Sequence, residues 1–252
     1  MSWTDQVFRY CERGADPGFW AEPINAVTNV AFILAAIAAA VVMARQPGGG
    51  KGRSAEWVLI ALVFVIGVGS FLFHTLATRW SGLADTGPIG VFMLAYMAYA
   101  LRVFLGLGWA STALGLGLFI AALKGADKIE CRAGLPSLAT AAHSHCLNGT
   151  IGYVPAFVAM IAIGAVLSYR QHPAARYLLL AGGIFFMSMA LRTIDLEICA
   201  LTRGLGAHFL WHILNAAMLY LLLLAAIRFG RKRMARDLVP DSPGQKLNEL
   251  RE

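Results

Sequence analysis

Gly204–Leu221, GLGAHFLWHILNAAMLYL, opens a long apolar run with two histidines, His208 and His212, four residues apart. On a helix that spacing puts both imidazoles on one face, one turn apart, which is a metal-chelating arrangement. Ionisable groups at the head of an apolar span are costly and mark working sites, so partners for the pair are sought elsewhere in the chain. A second apolar run, GVGSFLFHTLA, carries Ser70 and His74, again four apart, and Asp85 stands in ADTGPIG.

The surrounding composition sets the environment. Of 252 residues, 58% are hydrophobic and only 14% charged, with a mean hydropathy of +0.65, which is too apolar for a water-soluble domain of this length. Apolar runs of spanning length are expected at 25–44, 57–77, 88–105, 109–123, 151–169, 176–191 and 207–229. The third and fourth divide only at Gly106–Trp109. Read as one helix, residues 88–123 would measure about 54 Å against a hydrocarbon core of about 30 Å, so the chain must turn back there. The expectation is an all-α integral membrane protein, a seven-helix bundle over residues 25–229. Before it comes an extramembrane segment over residues 1–24, read as mature sequence and not as a signal peptide. A basic, then polar tail follows over residues 230–252.

The net charge of +7 comes from Arg and Lys in short connections and in IRFGRKRMAR, a pattern of cytoplasmic loops and not of nucleic-acid binding. Placing Arg45, Lys51, Arg53, Arg102, Arg170, Arg176 and the Arg228–Arg236 cluster inside puts the N-terminus outside and the C-terminus in the cytoplasm. With seven spans, the end of the second, the start of the third and the start of the seventh share one membrane face. Ser70, His74, Asp85, His208 and His212 then lie at one depth. Cys11, Cys131, Cys146 and Cys199 fall on the same outer side, where one or two disulfides are expected and Cys11–Cys199 is the preferred pair.

Three imidazoles leave a tetrahedral zinc one open position, as in catalytic sites, and such a centre supplies a water of near-neutral pKa and polarises a carbonyl. Asp85 is placed to accept a proton and return it to a departing amine, and Ser70 to donate to an oxyanion. Duller readings stand beside these. Ser70, in GxGS, serves equally as a small packing residue. His143 and His145 read as loop histidines and His172 as part of a cytoplasmic turn. Asn25, Thr28 and Asn29 read as polar contacts. Arg192, Asp195 and Glu197 are expected to pair among themselves, or Arg192 with Asp85. The N-terminal carboxylates are either solvated or ligands of a hard cation.

The order Ser-x3-His, Asp, His-x3-His resembles the seven-span hydrolase superfamily that contains the alkaline ceramidases and the adiponectin and progestin receptors. YCERG…FWAEPINAVTNVAF, from Tyr10, and LNGTIGYVPA, from Leu147, are similar to bacterial members of the ceramidase branch. The resemblance covers about 10–229. It implies zinc on His74, His208 and His212, with Asp85 and Ser70 catalytic and the amide of ceramide cleaved to a sphingoid base and a fatty acid. It implies a multi-pass protein of a bacterial inner membrane, its site toward the periplasm and open to a lipid substrate. A calcium site is also implied, with Glu12 and Glu22 as acidic ligands, the Tyr10 carbonyl as a third and Asp16 as a possible addition. Arg9 and Gly14 or Ala15 depart from that pattern. The rival readings are hydrolysis of another acyl lipid and a non-enzymatic receptor-like bundle with structural zinc; histidine-ligated haem fits less well, since no c-type attachment motif is present.

Overall fold

The computed structural model describes residues 2–129 and 146–230. Cys131, His143, His145 and the tail beyond Gly230 lie outside the described residues. Among the described residues seven helices are long and apolar enough to cross a membrane: α1 Pro23–Ala44, α2 Ser54–Leu76, α3 Arg79–Phe104, α4 Trp109–Ala126, α5 Cys146–Tyr169, α6 Ala175–Thr193 and α7 His208–Phe229. Large apolar side chains such as Leu34, Ile37, Phe64, Leu114 and Phe186 point outward uncovered, as a lipid-facing surface requires. α7 is the most enclosed span. Its Leu219, Leu222, Leu223 and Ile227 are buried in a core shared with α1, α2, α3 and α6.

Two boundaries differ from the sequence expectation by five residues or more, each for a local reason. α3 begins at Arg79, nine residues before Pro88, because Thr78 and Ser81 form a reciprocal capping box that starts the helix early. Asp85 therefore sits in the second turn of α3 and not ahead of it. Pro88 lies inside the helix, where its missing N–H leaves the carbonyl of residue 84 without its usual partner. α5 starts at Cys146 with a 3-10 turn that carries left-handed Leu147, Asn148 and Gly149. The expected break between α3 and α4 is present. α3 ends in a π turn over Ala100–Phe104, and Arg102 donates to the Leu107 carbonyl while stacking over Trp109 at 4.3 Å.

α2 and α3 touch backbone to backbone. A Cβ built on Gly69 would collide with the carbonyl of Ala84, the same carbonyl that Pro88 frees. Glycine at 69 thus lets the neighbouring Ser70 and His74 lie beside Asp85.

The segment before α1 is a strap over the same end of the bundle. It pairs with the α2–α3 turn through Val7 N–H to the Ala77 carbonyl and Arg79 N–H to the Asp5 carbonyl. A disulfide joins Cys11 to Cys199, in the connection between α6 and α7.

Candidate metal centre

His74 lies in the last turn of α2, and His208 and His212 in the first two turns of α7. All three are at most 2% exposed. One ring nitrogen from each lies within 4.8 Å of the others, and the ring centroids are 4.7–5.2 Å apart. Nitrogens sharing a tetrahedral zinc at about 2.0–2.1 Å would be about 3.4 Å apart, so small side-chain shifts complete the set.

The hydrogen-bond inventory supports a cation there. Among the described residues six buried side-chain polar atoms have no partner. Three of them are one nitrogen from each ring, Nε2 of His74, Nδ1 of His208 and Nε2 of His212; the others are the amide oxygens of Asn25, Asn29 and Asn215. Buried nitrogens left unpaired in this way cost free energy unless an unseen partner satisfies them, and three on one centre fit a metal ion. Among the described residues no other group of three or more His, Cys, Asp or Glu side chains is placed to share a metal.

The outer nitrogens are held from two directions. Glu22 Oε2 is 2.5 Å from His74 Nδ1, and Thr28 Oγ1 is 2.9 Å from His212 Nδ1. Such partners fix the ring and its tautomer and make the inner nitrogen a better ligand. Tyr10 stacks on His208 with centroids 3.6 Å apart. Asp195 accepts from the backbone N–H groups of Ala207 and His208 with one oxygen and from Cys11 with the other. It thereby caps the start of α7 and fixes the strap above it.

Glu22 is the hub of this outer layer. Arg13, 2% exposed, donates from Nε to Glu22 Oε1 at 2.6 Å, and its other nitrogens reach the carbonyls of Asp16, Gly18, His74 and Thr75. Burial alone would raise the Glu22 pKa, but the hydrogen bonds and charge of His74, with those of Arg13 and Asn25, more than offset it and hold the carboxyl below its ordinary range. Burial pushes the Tyr10 hydroxyl up to about 12, so it stays neutral. The residues read as possible calcium ligands are engaged within the protein. Glu12 accepts from the N–H groups of Ile24 and Asn25, Asp16 from Gly18, and Glu22 from Arg13, His74 and Asn25.

Asp85 and Ser70 are buried and interact, the serine hydroxyl with the carboxylate. With His208 and His212 they line the head of a cavity that runs between the spans to Ala100 and Leu222. From His208 to Leu222 this is fourteen residues of α7, or about 21 Å along its axis. Below the polar head the lining is mostly Phe, Met, Ile, Leu and Ala, with Asn215 and Tyr96 as its polar members.

The expected pairing of Arg192 does not form. It makes no ion pair with Asp85, Asp195 or Glu197; its Nη1 donates to the Asn148 carbonyl and to Thr150 Oγ1, and the guanidinium lies over Tyr153 and Trp211. Asp195 is used as the helix cap instead. His172 sits in a turn, its Nδ1 accepting from Ala174 N–H. Comparison with known proteins finds no family model that matches the chain, and no curated protein matches it.

If Glu22 strengthens the metal site through His74, Glu22→Gln should weaken binding of a divalent metal ion there by about 10–100-fold, the usual effect of losing a charged outer partner. Competition against a chromophoric chelator measures this, and an unchanged affinity would remove Glu22 from the site.

Proposed function

We propose that this chain is a zinc-dependent intramembrane hydrolase that cleaves the amide bond of a ceramide-like lipid to a sphingoid base and a fatty acid. The observation that carries the proposal is the convergence of three unpaired imidazole nitrogens beside a mostly apolar cavity, whose polar head carries one carboxylate and one hydroxyl and which follows α7 for about 21 Å. A zinc ion on His74, His208 and His212 would polarise the substrate carbonyl and lower the pKa of water. Asp85 takes the proton from the attacking water and returns it to the amine nitrogen as the C–N bond breaks. Ser70 donates to the carbonyl oxygen as it gains negative charge. The acyl chain occupies the apolar length of the cavity, where its methylene groups leave water. The resemblance to the alkaline ceramidases supports the same residues in the same roles. The charge distribution of the loops favours a site toward the periplasmic side of a bacterial inner membrane.

The test is twofold. Purified protein should carry about one zinc per chain by elemental analysis, and incubation with ceramides of varied chain length should release fatty acid. Zinc without turnover on any acyl lipid would favour a receptor-like bundle held by the metal. Absence of zinc in a folded protein would remove the proposal.

A further inference from the structure

Among the described residues three charged side chains line the cavity: Asp85, Arg9 and Arg192. Their charges do not cancel. Two guanidinium groups face one carboxylate, before any metal charge is added. Among the described residues neither arginine is ion-paired to a carboxylate. Arg192 is only 9% exposed, deep enough for an uncompensated charge to be expensive. Its contacts to Asn148, Thr150, Tyr153 and Trp211 are all neutral. They orient the guanidinium beside the histidines without neutralising it. Arg9 is exposed, stacks on Phe73 at 5.8 Å, and with exposed Thr86 marks the opening of the cavity at its polar end.

We infer that, among the amide lipids this site would cleave, those whose amine side carries a carboxylate close to the scissile bond are favoured over plain ceramide, with Arg9 and Arg192 as the specificity-determining pair. This rests on the hydrolase reading. The argument is one of position and shape. Both arginines belong to the polar end, so they read the group on the amine side of the amide and not the acyl tail. The planar fork of arginine matches a carboxylate with two parallel hydrogen bonds. A neutral alcohol headgroup would leave the buried Arg192 with Asp85 as its one carboxylate neighbour, shared with Arg9 at the rim.

A matched pair of substrates tests this. N-hexadecanoylglycine and N-hexadecanoylethanolamine share the acyl chain and the amide and differ in a terminal carboxylate against a hydroxyl. With zinc-loaded full-length protein in detergent, kcat/KM should be about tenfold or more higher for the glycine conjugate, the lower end of what one charge-assisted hydrogen bond contributes. Arg9→Gln should lower that ratio toward one, as should Arg192→Gln. An equal or higher value for the ethanolamide would overturn the inference while leaving the hydrolase reading intact. If neither amide is cleaved and ceramide is not cleaved either, the hydrolase reading fails instead. The headgroup preference is then read from binding to the metal-free protein, which should be thermally stabilised more by the glycine conjugate than by the ethanolamide. Equal stabilisation by the two would overturn it.

Discussion

The Asp85→Asn protein should keep its zinc and lose turnover by about a thousandfold, within the 10²–10⁴ span of a positioned proton-transfer group. The substitution nearly preserves volume, so packing of α2 against α3 should be retained. What is removed is the capacity to take up and release a proton. His212→Ala supplies the contrast, since it deletes one of the three inner nitrogens and should abolish metal and turnover together. Elemental analysis beside fatty-acid release separates the two. If Asp85→Asn loses its zinc, the carboxylate belongs to the metal set; if it retains turnover within about threefold, another group moves the proton.

Gly69→Ala should be the most damaging single methyl addition in the bundle. The new Cβ meets the Ala84 carbonyl and the Asp85 nitrogen, which are backbone atoms that no rotamer change can move. Overpacking usually costs about 1–3 kcal/mol where side chains adjust; here two helices must part, so at least the upper end of that range is expected. Parting them also draws Asp85 away from Ser70 and His74, coupling lost stability to lost activity. Gly183→Ala is the control, because Gly183 is exposed on α6 with nothing within 4 Å of an added Cβ. That change should be neutral or slightly stabilising. Thermal unfolding in detergent compares them, and equal midpoints would disprove the close approach.

The histidines were legible in the sequence because two periodicities act on them together. Helical spacing put His208 and His212 on one face, and the alternation of seven spans brought His74 to their depth. Asp85 was placed at the right depth but on the wrong side of a helix start, since Pro88 is a stronger local signal than the Thr78–Ser81 cap that begins α3. What supports the site was hidden for a different reason. Glu22 reaches His74 across 52 positions, and nothing in its neighbourhood distinguishes an imidazole partner from a hard cation. Asp195 was assigned to the nearest opposite charge, whereas in the fold the unsatisfied N–H groups at the head of α7 claim it. Gly69 was readable as a small residue but not as a crossing point, because its partner is a carbonyl freed by a proline nineteen positions later. Contacts made through backbone atoms leave little trace in side-chain pattern.

The bond between Cys11 and Cys199 closes a loop of 188 positions, and this imposes an order on biosynthesis. At about 5–20 residues per second a ribosome needs roughly 10–40 s to travel from one cysteine to the other. His208 and His212 emerge only after the second. Throughout that interval the N-terminal strap is held only by its contacts to α1, α2 and the α2–α3 turn, so oxidation of this pair belongs among the last events of maturation.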